Sequence, residues 1–310
     1  MRKIYAIGET VLDIIIRDNK PEAIRPGGSM LNTCISLGRL GLPVFFMGEY
    51  STGNTGKLID NFLKKNGVDN HYVHHFSDAK TTIALAFLDK NNNAEYSFYR
   101  ESPARRLQIP EVNVQRDDIV LFGSIFALSR EIRETLVKFI SSAKKAGALI
   151  MYDPNFRMAH INELSDLKPL ITENLNLADI VRGSDEDFFN IFNIQNSATA
   201  YGTIREKVKT LVYTASKKGV FLHSAGKKEV FPVKDISPIS TVGAGDSFNA
   251  GLVYGLYKYN ITTENLVKTD KKIWRKIISA AVEFASDVCM TYDNYISPDI
   301  AGLYKFNPKV

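Results

Sequence analysis

Ser240-Thr241-Val242-Gly243-Ala244-Gly245-Asp246-Ser247-Phe248-Asn249-Ala250-Gly251 is the stretch on which the reading of this chain turns. A loop with two glycines feeds directly into a helical pattern over residues 244–258. The first turn of a helix carries unpaired N–H groups and the positive end of the helix dipole. Glycine lets such a backbone approach a phosphate closely. Gly243, Ala244 and Gly245 therefore form a candidate anion hole of backbone amides. Asp246 is the odd element, because a carboxylate beside a phosphate cradle repels any phosphate it does not serve. It has a purpose if it takes the proton from an incoming hydroxyl that then attacks a γ-phosphorus. A helix cap would also explain an Asp there. Two other phosphate motifs fail. A GxGxxG starting at Gly243 needs glycine where Phe248 stands, and Gly53-Asn54-Thr55-Gly56-Lys57-Leu58 has the wrong spacing for a GxxxxGK[ST] loop.

Outward from that turn, short apolar strands alternate with amphipathic helices. Strands are predicted at 3–8, 44–47, 119–122, 149–153, 180–182, 211–214 and 220–223, and helices at 30–40, 57–65, 130–145, 185–191 and 200–209. Such alternation implies a mostly parallel sheet covered on both faces, an α/β fold. Residues 81–88 and 94–99 break the pattern as a hairpin turned by Asp89-Lys90-Asn91-Asn92-Asn93, with 12–17 a further strand. These read as a small β lid contributed by about 11–18 and 80–101, with an antiparallel edge of the main sheet as the alternative. Two long helices, 244–258 and 272–291, close the chain before a tail from Tyr292.

The chain has 310 residues, 45% of them hydrophobic and 24% charged, which are globular values at a length that supports a large core. The order of the elements favours one domain over 1–310, with the lid threaded into its first third. No apolar run approaches the roughly 18 residues of a membrane span. The run from Ile119 to Leu128 is broken by Gly123 and Ser124. Glu9 and Asp13 interrupt any export signal. Cys34 and Cys289 then read as buried thiols of a reducing compartment, which implies a cytoplasmic protein. Thirty-nine Lys plus Arg against 34 Asp plus Glu give +5, spread over scattered pairs such as Lys144-Lys145 and Lys271-Lys272. That scatter argues against nucleic acid and leaves room for an anionic small ligand.

The Thr241 to Phe248 run closely resembles the C-terminal signature of the ribokinase/PfkB sugar kinases. Gly27-Gly28-Ser29-Met30-Leu31-Asn32 with Ser36-Leu37-Gly38-Arg39-Leu40-Gly41 matches their N-terminal signature, about two hundred residues earlier. The resemblance covers nearly the whole chain and implies a three-layer α/β/α ribokinase-like core with a small lid, ATP and Mg2+ as cofactors, and a sugar as acceptor. It implies Asp246 as catalytic base, with the amides of Gly243, Ala244 and Gly245 holding the charge on the transferred phosphoryl. Asp13, Gly27, Gly28 and Asn32 fall where the family binds the sugar. Ser184 and Asp187 stand where the family has NxxE, which makes Asp187 an indirect magnesium residue and Ser184 a nucleotide contact. A capped helix with an acidic first turn explains the same residues. Thr214 and Gly219 lie in the nucleotide segment, in which Ser216 replaces a glycine. Ser240 replaces the signature's opening Asp, near the family's monovalent-cation site, which leaves potassium activation unsupported. Gly53-Asn54-Thr55-Gly56 lacks the Asp of the family's GxDxxG.

Phe98-Tyr99-Arg100 and Asp153-Pro154-Asn155-Phe156-Arg157 resemble the fructokinase branch. Arg100 and Arg157 are fork donors for hydroxyl, carboxylate or phosphate oxygens. Asp153 and Asn155 follow a strand, at the end of a sheet where ligands of α/β proteins bind. The reading is an ATP-dependent kinase that converts fructose to fructose 6-phosphate. The alternatives are a kinase of 2-keto-3-deoxygluconate, for which Arg105 adds a cation, or of another sugar or nucleoside, and a non-catalytic sugar or nucleotide sensor. Unpaired edges of the lid strands would seek a partner, so a homodimer through the lid is expected.

Overall fold

The computed structural model describes residues 1–88 and 94–307. The expected turn at 89–93 lies outside the described residues. The chain opens with β1 (Ile4–Ile7), β2 (Val11–Arg17) and β3 (Lys20–Gly27), then enters α1 (Ser29–Arg39). Next come β4 (Val44–Met47), β5 (Glu49–Ser51), α2 (Asn54–Lys65), β6 (His74–Phe76), β7 (Ile83–Leu88) and β8 (Ala94–Tyr99). Strands and helices then alternate through β9 (Ile119–Gly123), α3 (Arg133–Lys145), β10 (Leu149–Asp153), α4 (Leu164–Leu177), β11 (Ile180–Ser184), α5 (Asp185–Phe192), α6 (Ser197–Ile204) and β12 (Thr210–Thr214). A hairpin of β13 (Val220–Ser224) and β14 (Lys227–Phe231) precedes α7 (Ala244–Lys258), α8 (Lys271–Cys289) and α9 (Pro298–Leu303).

The main sheet has the order β14-β13-β12-β11-β10-β9-β1-β4. It is parallel from β4 to β12 and turns antiparallel at β13 and β14. Alternate side chains of each strand face opposite layers. Ile4 and Ala6 pack with Met30, Leu31, Leu252 and Ile277 of α1, α7 and α8. Tyr5 and Ile7 pack with Leu136, Ile140, Ile171 and Leu175 of α3 and α4. Burial on both faces is why β9 and β10 read as nearly unbroken apolar runs. The α/β/α layering expected from the sequence is the observed one.

Two departures concern the small sheet, whose order is β3-β2-β7-β8. It is not purely antiparallel, because β2 runs parallel to β7. It also includes β3, a strand absent from the sequence reading, in which Pro21 and Pro26 remove ladder donors. An edge strand tolerates that loss, and β3 is an edge. Helix α4, with Pro169 inside it, was likewise not foreseen. It supplies the crossover that joins parallel β10 to β11. Cys34 is buried as expected, whereas Cys289 is only half-buried.

Candidate active site

The carboxyl ends of β1, β10, β11 and β12 open at one edge of the main sheet, and the N-termini of α1 and α7 converge on that edge. Gly28 is the N-cap of α1 and Gly243 the N-cap of α7. Gly28 has φ +125°, and a Cβ there would lie 2.2 Å from the Glu9 carbonyl oxygen. Gly243 has φ +78°, with the Asn294 backbone 2.6 Å from where its Cβ would be. Only glycine supports both turns.

Asp246 sits in the first turn of α7, buried, and does not cap its own helix. Its carboxylate accepts hydrogen bonds from Ser29 Oγ at 2.6 Å and Asn32 Nδ2 at 2.9 Å, both from α1. Thr33 Oγ1 donates to the Asp246 carbonyl at 3.0 Å. Burial pushes the Asp246 pKa above the ordinary carboxylate value, while the two side-chain donors and the nearby Arg157 and Arg182 hold it down. A desolvated carboxylate kept ionisable by charge-assisted bonds has the character of a general base.

A cavity of about 400 Å³ opens beside Asp246 and brings together Asn155, Arg157, Ser184, Thr214, Gly219 and the 243–245 turn. Asn155 takes a left-handed conformation, with φ +40°, and donates its backbone N–H to Asp153 at 3.1 Å. The Arg157 side chain is exposed at the rim. Of the expected anion-hole amides, that of Ala244 donates to the Thr241 carbonyl at 3.3 Å.

Asp13 lies apart from that cavity, half-buried on β2. Its carboxylate occupies the space a Gly27 side chain would need, with Oδ2 2.4 Å from the Cβ position. Burial, with Glu9 adding repulsion and Arg25 opposing it, raises the Asp13 pKa to about 7. Gly27 is therefore small for the sake of Asp13. Tyr96 of β8 lies within electrostatic reach of both Asp13 and Arg157, so the small sheet faces the same edge. Arg100 packs over the Phe98 ring at 4.6 Å. With Glu9 it lines a second cavity, of about 640 Å³.

Three expected site residues are engaged by other groups of the protein. Asp153 was read as a substrate contact but has no exposed surface. Its carboxylate is taken up by Arg182 Nη1 at 3.1 Å, Asn249 Nδ2 at 2.6 Å and the Asn155 N–H. Asn32 was read as a hydroxyl donor, but its amide serves Asp246. Asp187 was read as an indirect magnesium residue. One of its oxygens accepts from Ser184 N at 2.6 Å and Oγ at 2.7 Å, and the other from Phe156 N at 2.7 Å. Ser184 Oγ accepts from the Asp187 N–H in return, which completes a capping box on α5. The helix-cap alternative is thus the observed one. Among the described residues no three His, Cys, Asp or Glu groups cluster as metal ligands.

Sequence reading missed Ser29, Glu9 and Arg182. Ser29 lay inside the quoted Gly27–Asn32 run and Glu9 was noted only as a charge near the N-terminus, with no local feature to single either out. Arg182 did carry a signal, since an ionisable side chain closing the apolar run Ile180-Val181 is out of place unless partnered.

A buried carboxylate on a glycine-initiated helix, beside a cleft of about 400 Å³ at the carboxyl ends of a parallel sheet, is the arrangement of a phosphotransferase site. The family model for the pfkB carbohydrate kinases matches residues 1–293; the chain belongs to that family and is a sugar kinase. A fructokinase from Rhizobium leguminosarum bv. trifolii is 30% identical over 276 residues, covering 85% of this chain and 82% of the relative. Probable fructokinase-5 from Arabidopsis thaliana is 28% identical over 269 residues, covering 82% and 83%. The crystal structure of a Vibrio cholerae O395 fructokinase, bound to fructose, ADP and calcium, superposes with TM-score 0.84 at 21% identity over 99% of both chains. An aminoimidazole riboside kinase from Salmonella enterica, complexed with its riboside and an ATP analogue, gives 0.81 at 20% identity over 98% and 99%. No helix among the described residues is long and apolar enough to cross a membrane.

Proposed function

We propose that this sugar kinase transfers the γ-phosphoryl of ATP to fructose, forming fructose 6-phosphate. The observation that carries the reading is Asp246, a buried carboxylate held by Ser29 and Asn32 at the mouth of a cleft framed by the 243–245 turn. ATP occupies that cleft through Thr214, Gly219 and the turn, entering with Mg2+ on its own phosphates as part of the substrate. The sugar lies between Asp13, Gly28, Arg157 and Asp246, under the small sheet as a lid.

Asp246 takes the proton of the C6 hydroxyl as its oxygen forms a bond to the γ-phosphorus. The bond from that phosphorus to the β–γ bridging oxygen breaks, and ADP leaves with the electron pair. The amide dipoles at the start of α7 oppose the charge on the transferred group. Fructokinases among the relatives support fructose as acceptor. The exposed Arg157 at the rim also suits the carboxylate of 2-keto-3-deoxygluconate, which is the second reading. Phe87, Tyr96, Phe98 and Tyr99 are exposed on the small sheet, which supports pairing of two copies there.

ADP release measured across fructose, 2-keto-3-deoxygluconate, ribose, tagatose and nucleosides tests the proposal. Fructose should give the highest kcat/KM. Turnover of only the keto acid would move the assignment, and no turnover at all would leave a sensor on a kinase scaffold. Light scattering that shows a monomer at micromolar concentration would count against the dimer.

A further inference from the structure

We propose that Arg182 is a further catalytic residue, its guanidinium binding the phosphoryl group in flight from beneath the first turn of α7. The inference rests on the kinase reading above and adds to the chain a cation that the nucleotide and sugar contacts do not include. Arg182 is the middle residue of β11 and lines the cleft beside Asp246, although its side chain is only 9% exposed. A Cβ on Gly245 would stand 3.1 Å from Nη1 and 3.5 Å from Nη2, so the guanidinium lies directly against the glycine turn.

A cation at the positive end of a helix is electrostatically out of place. Three contacts hold it there: Nη1 donates to Asp153 Oδ2 at 3.1 Å, Nη2 donates to Thr214 Oγ1 at 3.0 Å, and the plane packs 5.4 Å from the Phe248 ring. Asp153 is in turn fixed by Asn249 of α7, so strand and helix are tied together through one buried pair. Buried ion pairs of this kind are weak sources of stability, and removing one partner is costly. Guanidinium has five N–H donors. The two bonds leave a second N–H on each Nη, and Nε has no partner. The helix dipole and the guanidinium, only partly offset by Asp153, therefore act on the same part of the cleft and favour a further anion there. Asp153, buried and out of substrate reach, acts as the positioning residue that aims Arg182.

The test compares Arg182→Gln and Arg182→Lys with the wild-type protein in ADP release, and measures binding of ADP with aluminium fluoride, a planar mimic of the phosphoryl in flight. By analogy with loss of one oxyanion donor, kcat of Arg182→Gln should fall roughly 10²–10³-fold, with the fructose KM within about threefold of wild type. Arg182→Lys should fall between the two. Affinity for ADP–aluminium fluoride with fructose should drop in step with kcat, while affinity for ADP alone holds. If Arg182→Gln does not fold, Arg182→Lys carries the same comparison. A kcat near wild type, or equal losses for ADP and for the mimic, would overturn the role of Arg182. Absence of turnover by the wild-type protein would instead overturn the kinase reading, and this inference with it.

Discussion

Replacing Asp246 by Asn removes one proton acceptor while keeping the shape of the side chain. In the protein, Asp246 accepts from Ser29 Oγ at 2.6 Å and Asn32 Nδ2 at 2.9 Å. An Asn at this position keeps an oxygen toward Asn32 and turns its amide toward Ser29, whose hydroxyl can rotate to accept. The fold should therefore survive. Burial raises the pKa of Asp246, so the folded chain disfavours its ionised form relative to the unfolded chain. The neutral replacement removes that cost, and thermal stability should match or exceed wild type. Catalysis should not survive. A positioned general base contributes roughly 10²–10⁴-fold, which at about 1.4 kcal/mol per decade is about 3–5 kcal/mol of barrier. The assay pairs ADP release with calorimetric binding of fructose. The expected result is a kcat lowered by about that factor, with fructose still bound and the acid limb of the pH profile gone. Activity within tenfold of wild type would refute Asp246 as base. Loss of fructose binding together with kcat would show that the residue serves shape rather than proton transfer.

Asp13, raised to about 7, should ionise across the physiological range, so the fructose KM should fall from pH 6 to pH 8 and level off above. Its folded pKa exceeds the ordinary 3.8, so the native state holds the extra proton and loses stability as pH rises between those values. Asp13→Asn should flatten both trends, and a pH-independent KM in the wild-type protein would remove Asp13 from the sugar site. Gly28→Ala places a Cβ 2.2 Å from the Glu9 carbonyl at φ +125°. Strain and overpacking together should cost about 3 kcal/mol, or roughly 5 °C of Tm at this chain length, and an unchanged melting curve would contradict the geometry. Asp187→Asn should cost about 0.5–2 kcal/mol through the weakened cap on α5, with kcat within about tenfold of wild type. A collapse of kcat at unchanged Tm would return Asp187 to a metal role.

Features that depend on neighbours in sequence were legible from the sequence. The 243–245 turn, Asp246 and α7 are contiguous, so the glycines and the helix period announce one another. The central strands are buried on both faces and appear as apolar runs with little ambiguity, as at β10 (Leu149–Asp153). The cap made by Ser184 and Asp187 spans four residues and was readable as a cap. The magnesium role came from the resemblance alone, and the bonds seen at Asp187 are those of the cap. Strand β3 could not be read, because Lys20, Pro21 and Pro26 describe a loop until β2 offers an edge on which a strand can tolerate them.

The sequence by itself determined the class of fold, the family and the position of Asp246 as candidate base, since periodicity and glycine placement are local properties of the chain. Tertiary structure decided what surrounds that carboxylate. Asp153, Arg182 and Asn249 lie 29 and 96 residues apart along the chain, and Ser29 lies 217 from Asp246. The partners seen are ones the sequence reading did not include: Asp153 pairs with the buried Arg182 guanidinium, and Asn32 donates to Asp246. Hydrogen bonding and desolvation depend on distance in space, and only the packing of β10, β11, α1 and α7 against one another brings those groups within bonding range.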